Sequence, residues 1–148
     1  MSASTTSSVF PDVNVWLALS FEEHVHHQIA SDWFTDVGEQ SRFFFCRFTQ
    51  MGFLRLLSAE AVMRTRVLSQ MDAWRLYDRW LADDRVEFLD EPAGVDEHFR
   101  RRTRRSHPAP KDWADSYLAA FAESAQVTLV TFDRAMKEKV QPILLLSD

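Results

Sequence analysis

Three aspartates far apart in the chain stand where strands or helices should begin or end: Asp12 in PDVNVWLAL, Asp115 in KDWADSYLAA and Asp133 in VTLVTFDR. Asp112, Asp115, Ala119 and Ala122 recur three, four and three residues apart, so a helix there puts them on one face. Carboxylates then sit at the N-terminal end of a stripe that otherwise reads as buried. The run Val127 to Phe132 is apolar and β-branched, as an interior parallel strand should be, and it stops at Asp133. Open α/β sheets place ligands at such strand ends. If the sheet gathers Asp12, Asp115 and Asp133, their charges repel, and at least one pKa must rise unless a cation sits among them. An all-carboxylate set without Cys or His favours a hard ion, Mg2+ or Mn2+. Such ions hold phosphates and activate water, which makes phosphodiester hydrolysis the leading chemistry. Asn14 and Thr131 are candidates to orient the carboxylates or the water. Each aspartate also has a plain structural reading. Asp12 would cap a turn, Asp115 would complement the dipole in a first helical turn, and Asp133 would cap a helix starting at Arg134.

The elements that must position these groups alternate. A first strand opens at Val9, and in an extended chain Asp12 and Asn14 would face one side with Val13 and Val15 on the other. A helix follows to about Val37, spaced by Ala30, Trp33, Phe34 and Val37. Arg42 to Cys46 reads as a second strand, and Thr49 is a plausible N-cap for a helix through Leu57. Val62 to Val67 is a loop or a helical extension. Ser69 with Asp72 gives a capping pattern for a helix to about Ala82, with Trp74, Tyr77 and Leu81 on one face. Val86 to Leu89 is a third strand and Gly94 to Arg105 a helix. After the 111–134 stretch come a short helix, Arg134 to Lys139, and a strand, Ile143 to Leu146. Strands that are continuous apolar runs alternating with helices predict a three-layer α/β/α sandwich with a mainly parallel central sheet.

The chain has 148 residues, enough for one domain that buries roughly 70% of its unfolded surface. Residues 1–8 are Ser/Thr-rich and read as a disordered N-terminal tail rather than a signal peptide, with a single domain over 9–148. The one cysteine, Cys46, excludes an intramolecular disulfide and reads as a core residue, which fits a reducing, cytoplasmic setting. No apolar run approaches the roughly 18 residues of a membrane span. A net charge of −5 argues against coating an extended phosphate backbone. Against that acidic background, Arg100, Arg101, Arg102, Arg104 and Arg105 crowd one helix end. They read either as solvated cations favoured by the dipole or as a contact for phosphate or an acidic partner. His24, His26 and His27 have no HExxH context or Cys partner and read as a polar helix start.

PDVNVWLAL, CRFTQMGFLRLL and KDWADSYLAAFAESAQVTLVTFDRA, in that order, resemble the PIN-domain family, in particular the VapC-type toxins of bacterial toxin–antitoxin pairs. The resemblance runs from about Val9 to the C-terminus. It implies a PIN-like parallel sheet between helices and a Mg2+- or Mn2+-dependent ribonuclease. It also implies a homodimer and a cognate antitoxin that holds the enzyme inactive. By position, the family's first, third and fourth acids fall on Asp12, Asp115 and Asp133. The second, usually a Glu, falls on or near Gln50, whose neutral amide can offer oxygen but neither charge nor a base. Asp112, one turn before Asp115, is a candidate to make up that charge. Arg100 to Arg105 would steer RNA or meet the antitoxin. The alternative is a catalytically weakened PIN-like module that binds RNA or protein without cutting.

Overall fold

A computed structural model describes residues 7–147. The tail expected over 1–8 lies outside them as far as Thr6; Ser8 already belongs to the first strand, β1, Ser8–Pro11. Asp12 ends that strand by capping helix α1, Val13–Ser20. This corrects the extended reading of Asp12 and Asn14. A carboxylate oxygen of Asp12 accepts from the Val13 amide at 2.7 Å, so the chain turns helical one residue on. At about 100° per residue, the two polar side chains diverge instead of sharing a side. Helix α2, His27–Asp36, follows a turn, and β2, Arg42–Phe45, comes next. Helix α3, Arg47–Leu57, starts earlier than Thr49 suggests, with Cys46 at the N-cap. Thr49 caps from inside the first turn: its hydroxyl accepts from the Cys46 amide at 2.9 Å.

The segment left open over 62–67 is a short helix α4, Glu60–Met63, followed by a 3-10 turn, Arg64–Arg66. Helix α5, Gln70–Leu81, has Ser69 as its cap, accepting from the Asp72 amide as its spacing implied. Its core face, however, is Ala73 and Tyr77, while Trp74 is 46% exposed. Strand β3, Val86–Phe88, and helix α6, Val95–Arg102, lead to α7, Asp112–Ala125. Gln126 takes a left-handed conformation, φ 58°, and the Val127 amide returns to the Ala122 carbonyl at 3.0 Å, ending α7 tightly. Strand β4, Thr128–Thr131, then a 3-10 helix, Arg134–Glu138, and β5, Ile143–Leu145, complete the described chain.

The five strands lie in the order β3-β2-β1-β4-β5, and every pairing is parallel. Side chains alternate across this sheet and feed two cores. Val9, Phe43, Phe45 and Val130 join Trp16, Phe53, Leu57 and Tyr77 on the side of α1, α3 and α5. Phe10, Leu129 and Cys46 join Leu118, Phe121 and Met136 on the side of α6 and α7. Trp16 stacks on Phe45 at 4.1 Å and is fully buried. Each such large apolar side chain contributes about 1.5–3 kcal/mol on burial. The two cores clamp β1 and β4 from both faces, which fixes the ends of those strands where the aspartates lie. The architecture is the three-layer α/β/α sandwich that the alternation predicted.

Candidate active site

Strand order reverses between β1 and β4: β2 and β3 lie beyond β1, and β5 beyond β4. Chain ends at such a reversal diverge and leave a crevice at the carboxyl edge of the sheet. Asp12 and Asp133 stand at that edge. The Asp12 amide donates to the Val130 carbonyl at 2.8 Å, tying the end of β1 to β4. The Thr131 hydroxyl, 1% exposed, donates to the second carboxylate oxygen of Asp12 at 3.1 Å. The same hydroxyl oxygen accepts from the Asp133 amide at 3.1 Å. One buried threonine therefore holds both the Asp12 carboxylate and the backbone at Asp133. Asp133 itself is exposed, and its carboxylate accepts from the Ala135 amide at 2.9 Å as the cap of the following 3-10 helix.

The other carboxylates come from the first turn of α7. The Lys139 ammonium reaches Asp115 at 3.3 Å and Asp112 at 3.5 Å, and the Arg105 guanidinium reaches Asp112 at 3.3 Å. Arg102 fixes this end of the chain: it donates to the Lys139 carbonyl and pairs with Glu123 at 2.5 Å. The titrations diverge accordingly. Burial pushes the Asp12 carboxyl up, against hydrogen bonds from Val13 and Thr131, and the charges of Asp115 and Asp133 push it further. Desolvation also acts on Asp112, but Arg105, Ser116 and Lys139 together hold it below the usual carboxylate value.

Asp12 thus lies within electrostatic reach of Asp115 and Asp133. The donor set, carboxylates with a threonine hydroxyl between them, has the hard-oxygen chemistry that suits Mg2+ or Mn2+. Among the described residues, however, no three His, Cys, Asp or Glu side chains are grouped closely enough to grip one ion as they stand. The cationic charge beside Asp115 is that of Lys139, and beside Asp112 that of Lys139 and Arg105.

The remaining sequence candidates separate. Asn14 is exposed on α1 and lines a cleft with His24, Arg64 and Arg66. Gln50 is buried in α3, and its amide oxygen accepts from Arg47, whose guanidinium lies 4.8 Å over the Phe88 ring. Arg100 and Arg101 make exposed pairs one turn back, with Asp96 at 2.7 Å and Glu97 at 2.9 Å. Such pairs are worth about 0.3–0.5 kcal/mol each. Arg102 and Arg105 are tied into the acid face, and Arg104 has no ion-pair partner among the described residues. His26 stacks on Phe132 at 4.6 Å, and His27 contacts the Ala18 carbonyl at 2.7 Å, so this cluster serves local packing. Lys139 went unnoticed in the sequence. It is a lysine on a short polar helix, and no local pattern announces that α7 packs beside it.

The fold and its acid-bearing switch point define an all-parallel α/β protein with a carboxylate rim. The PIN domain model matches residues 9–140. The chain is 39% identical over 131 residues to Ribonuclease VapC41 of Mycobacterium tuberculosis, covering 86% of this chain and 90% of that protein. It is 31% identical over 133 residues to Ribonuclease VapC29 of the same organism, covering 87% and 88%. This chain belongs to the PIN-domain family. The fold is shared with VapBC2 from Rickettsia felis, solved bound to a DNA fragment from their promoter, at TM-score 0.64 and 10% identity over 93% of this chain and 96% of that one. It is shared also with Mycobacterium tuberculosis VapC20, described as a sarcin-ricin loop cleaving toxin, at TM-score 0.62 and 14% identity over 88% and 94%. Among the described residues no helix is long and apolar enough to cross a membrane.

Proposed function

We propose that this chain is an RNA endonuclease, the toxin of a toxin–antitoxin pair, and that Asp12, Asp115 and Asp133 form its divalent-metal site. The observation that carries the reading is the 39% identity to a named ribonuclease over 90% of that protein's length. The acids at the β1/β4 switch point support it from the side of chemistry. A Mg2+ or Mn2+ ion supplies Lewis acidity toward the phosphodiester and makes water nucleophilic at neutral pH. The chain's part is to keep its donors aimed. Thr131 holds one oxygen of Asp12 through its hydroxyl proton and fixes the start of the Asp133 loop through its oxygen. Lys139 keeps Asp115 and Asp112 close together, and Arg102 keeps Lys139 in place. Purified protein with Mg2+ or Mn2+ is expected to cut single-stranded RNA, and Asp115→Asn to lose that cleavage. Intact RNA after incubation with the parent protein would end the reading.

Gln50 favours one rival, a PIN module that binds without cutting. Its buried amide is engaged by Arg47, so the second acid of the family pattern has no stand-in here except Asp112. Calorimetric titration of metal separates the two: no heat with Mg2+ or Mn2+ supports the binding module. A cognate antitoxin as partner is supported by the structural neighbours, several of which are VapBC complexes. A homodimer is supported by Met51 on α3 and Met71 and Trp74 on α5, which are 57%, 68% and 46% exposed.

A further inference from the structure

Trp113 occupies the first turn of α7, between Asp112 and Asp115, and is 57% exposed. A tryptophan left in water forgoes a large burial gain. This one is nonetheless held firmly. Its ring meets Phe99 edge-on at 5.9 Å; Phe99 meets Tyr117 at 5.6 Å; Tyr117 meets Phe121 at 6.3 Å; and Phe121 stacks on Phe10 of the sheet at 5.0 Å. The Tyr117 hydroxyl donates to Glu91 at 2.6 Å and locks the middle of that row. Trp113 is thus the outer end of an aromatic chain anchored in the sheet. Clefts of about 330 and 480 Å3 open beside it. Arg105 and Asp112 line the first; Arg100 and Arg104 line the second. Arg104 has no ion-pair partner among the described residues. The Asp96–Arg100 pair is so exposed that a phosphate can compete for the guanidinium at little cost.

A rigid aromatic face with unsatisfied guanidinium charge beside it has the composition of a single-strand binding surface, in which bases stack and the backbone meets cations. We propose that Trp113 is a stacking platform for one unpaired base of an RNA strand, with Arg104 and Arg100 holding the flanking phosphates. The strand then runs past Asp112 toward Asp115. This rests on the ribonuclease reading above and assigns part of the substrate path. It also resolves the acidic net charge: contact is confined to a few phosphates at one end of the molecule. An acidic peptide would find the same guanidinium groups but would gain little from a bare indole face.

The test is fluorescence anisotropy of a fluorescein-labelled, unstructured single-stranded RNA of mixed sequence, with full-length protein in a chelator so that no cleavage intrudes. Trp113→Ala is expected to weaken binding roughly tenfold. It should leave the salt dependence unchanged, and Trp113→Phe should recover most of the loss. Arg104→Ala is expected to weaken binding and to reduce the logarithmic salt slope by about 0.7, the share of one phosphate on a single strand. Arg104 is exposed, so thermal unfolding of its variant should not move, and Trp113→Phe keeps an aromatic ring against Phe99 should Trp113→Ala lower stability. Unchanged affinity in Trp113→Ala overturns the platform, whatever Arg104→Ala does. So does a Trp113→Ala variant that loses affinity for a labelled polyglutamate peptide but not for RNA, which marks the face as a protein contact. If the parent binds RNA with these dependences yet cuts none with Mg2+ or Mn2+, the platform stands and the nuclease reading falls. If the parent cuts RNA and the variants bind as it does, the platform alone falls.

Discussion

Thr131 carries two opposite duties on one oxygen, donating to Asp12 and accepting from the Asp133 amide. Thr131→Val keeps the shape and removes both bonds. It should cost about 1–3 kcal/mol, since a buried amide and a carboxylate oxygen lose their partner. RNA cleavage should fall about 10–100-fold, as for other groups that aim metal ligands. Full cleavage at lowered stability would reduce Thr131 to a packing role. Asp12 behaves differently because its folded pKa lies above its unfolded value. Below pH 3.8 both states hold the proton and nothing is lost. As pH rises toward the folded pKa, the unfolded chain sheds its proton first, and the fold loses stability. In metal-free protein, Asp12→Asn should therefore raise the melting temperature at neutral pH, with the gain vanishing below the carboxylate range, while cleavage is lost. Asparagine caps a helix as well as aspartate, so α1 is not compromised. A melting temperature lowered by Asp12→Asn at pH 7 would show that the charge is stabilising. The acids were legible in the sequence because each ends or starts an element. The Thr131 bridge was only half legible, as a candidate to orient them, because its bond to Asp12 joins residues 119 positions apart.

Helix α1 sits against α3 because one residue on α3 has no side chain. A Cβ built on Gly52 would come 2.9 Å from a Val13 methyl, and valine cannot swing away freely. Gly52→Ala should gain about 0.8–1 kcal/mol of helix propensity. It should lose about 1–3 kcal/mol to overpacking, for a net destabilisation of about 1 kcal/mol. Because Val13 adjoins the Asp12 cap, the shift should also lower cleavage; chemical denaturation and an RNA assay on the same preparation would show both. A variant more stable than the parent would mean that the helices can part without strain. The alternation of elements was readable from apolar runs and from caps such as Ser69, whose bond is local. The misreadings have local causes. Asp12 was read into a strand because a parallel strand and a buried helix are both apolar runs here, VFP and VWLAL. Thr49 reads as an N-cap in sequence because sequence does not separate an N-cap from an N3 partner.

The sheet, the order of its strands and the acid rim together leave α3 and α5 facing outward, on the layer away from α7. There Met51, Met71 and Trp74 are exposed, although Ala73 and Tyr77 of the same helix α5 complete the core. Sequence reading placed Trp74 with Tyr77 because the residues are near neighbours on the helix; only the docking of α5 shows which of them turns outward. The structure holds Trp74 edge-on to Tyr77 at 5.8 Å, a fixed, half-exposed aromatic on the outer face of α5. Buried aromatics at the centre of an interface commonly contribute about 2 kcal/mol or more. If two copies meet on this face, Trp74→Glu places a carboxylate in each half of a two-fold contact, and the two repel across the symmetry axis. Sedimentation at a concentration where the parent is a dimer should then give a monomer with unchanged far-UV circular dichroism. RNA affinity should be retained, because Trp113 and the acid rim lie on other elements. A Trp74→Glu variant that sediments as a dimer would move the subunit contact elsewhere, and a parent that is monomeric throughout would remove it.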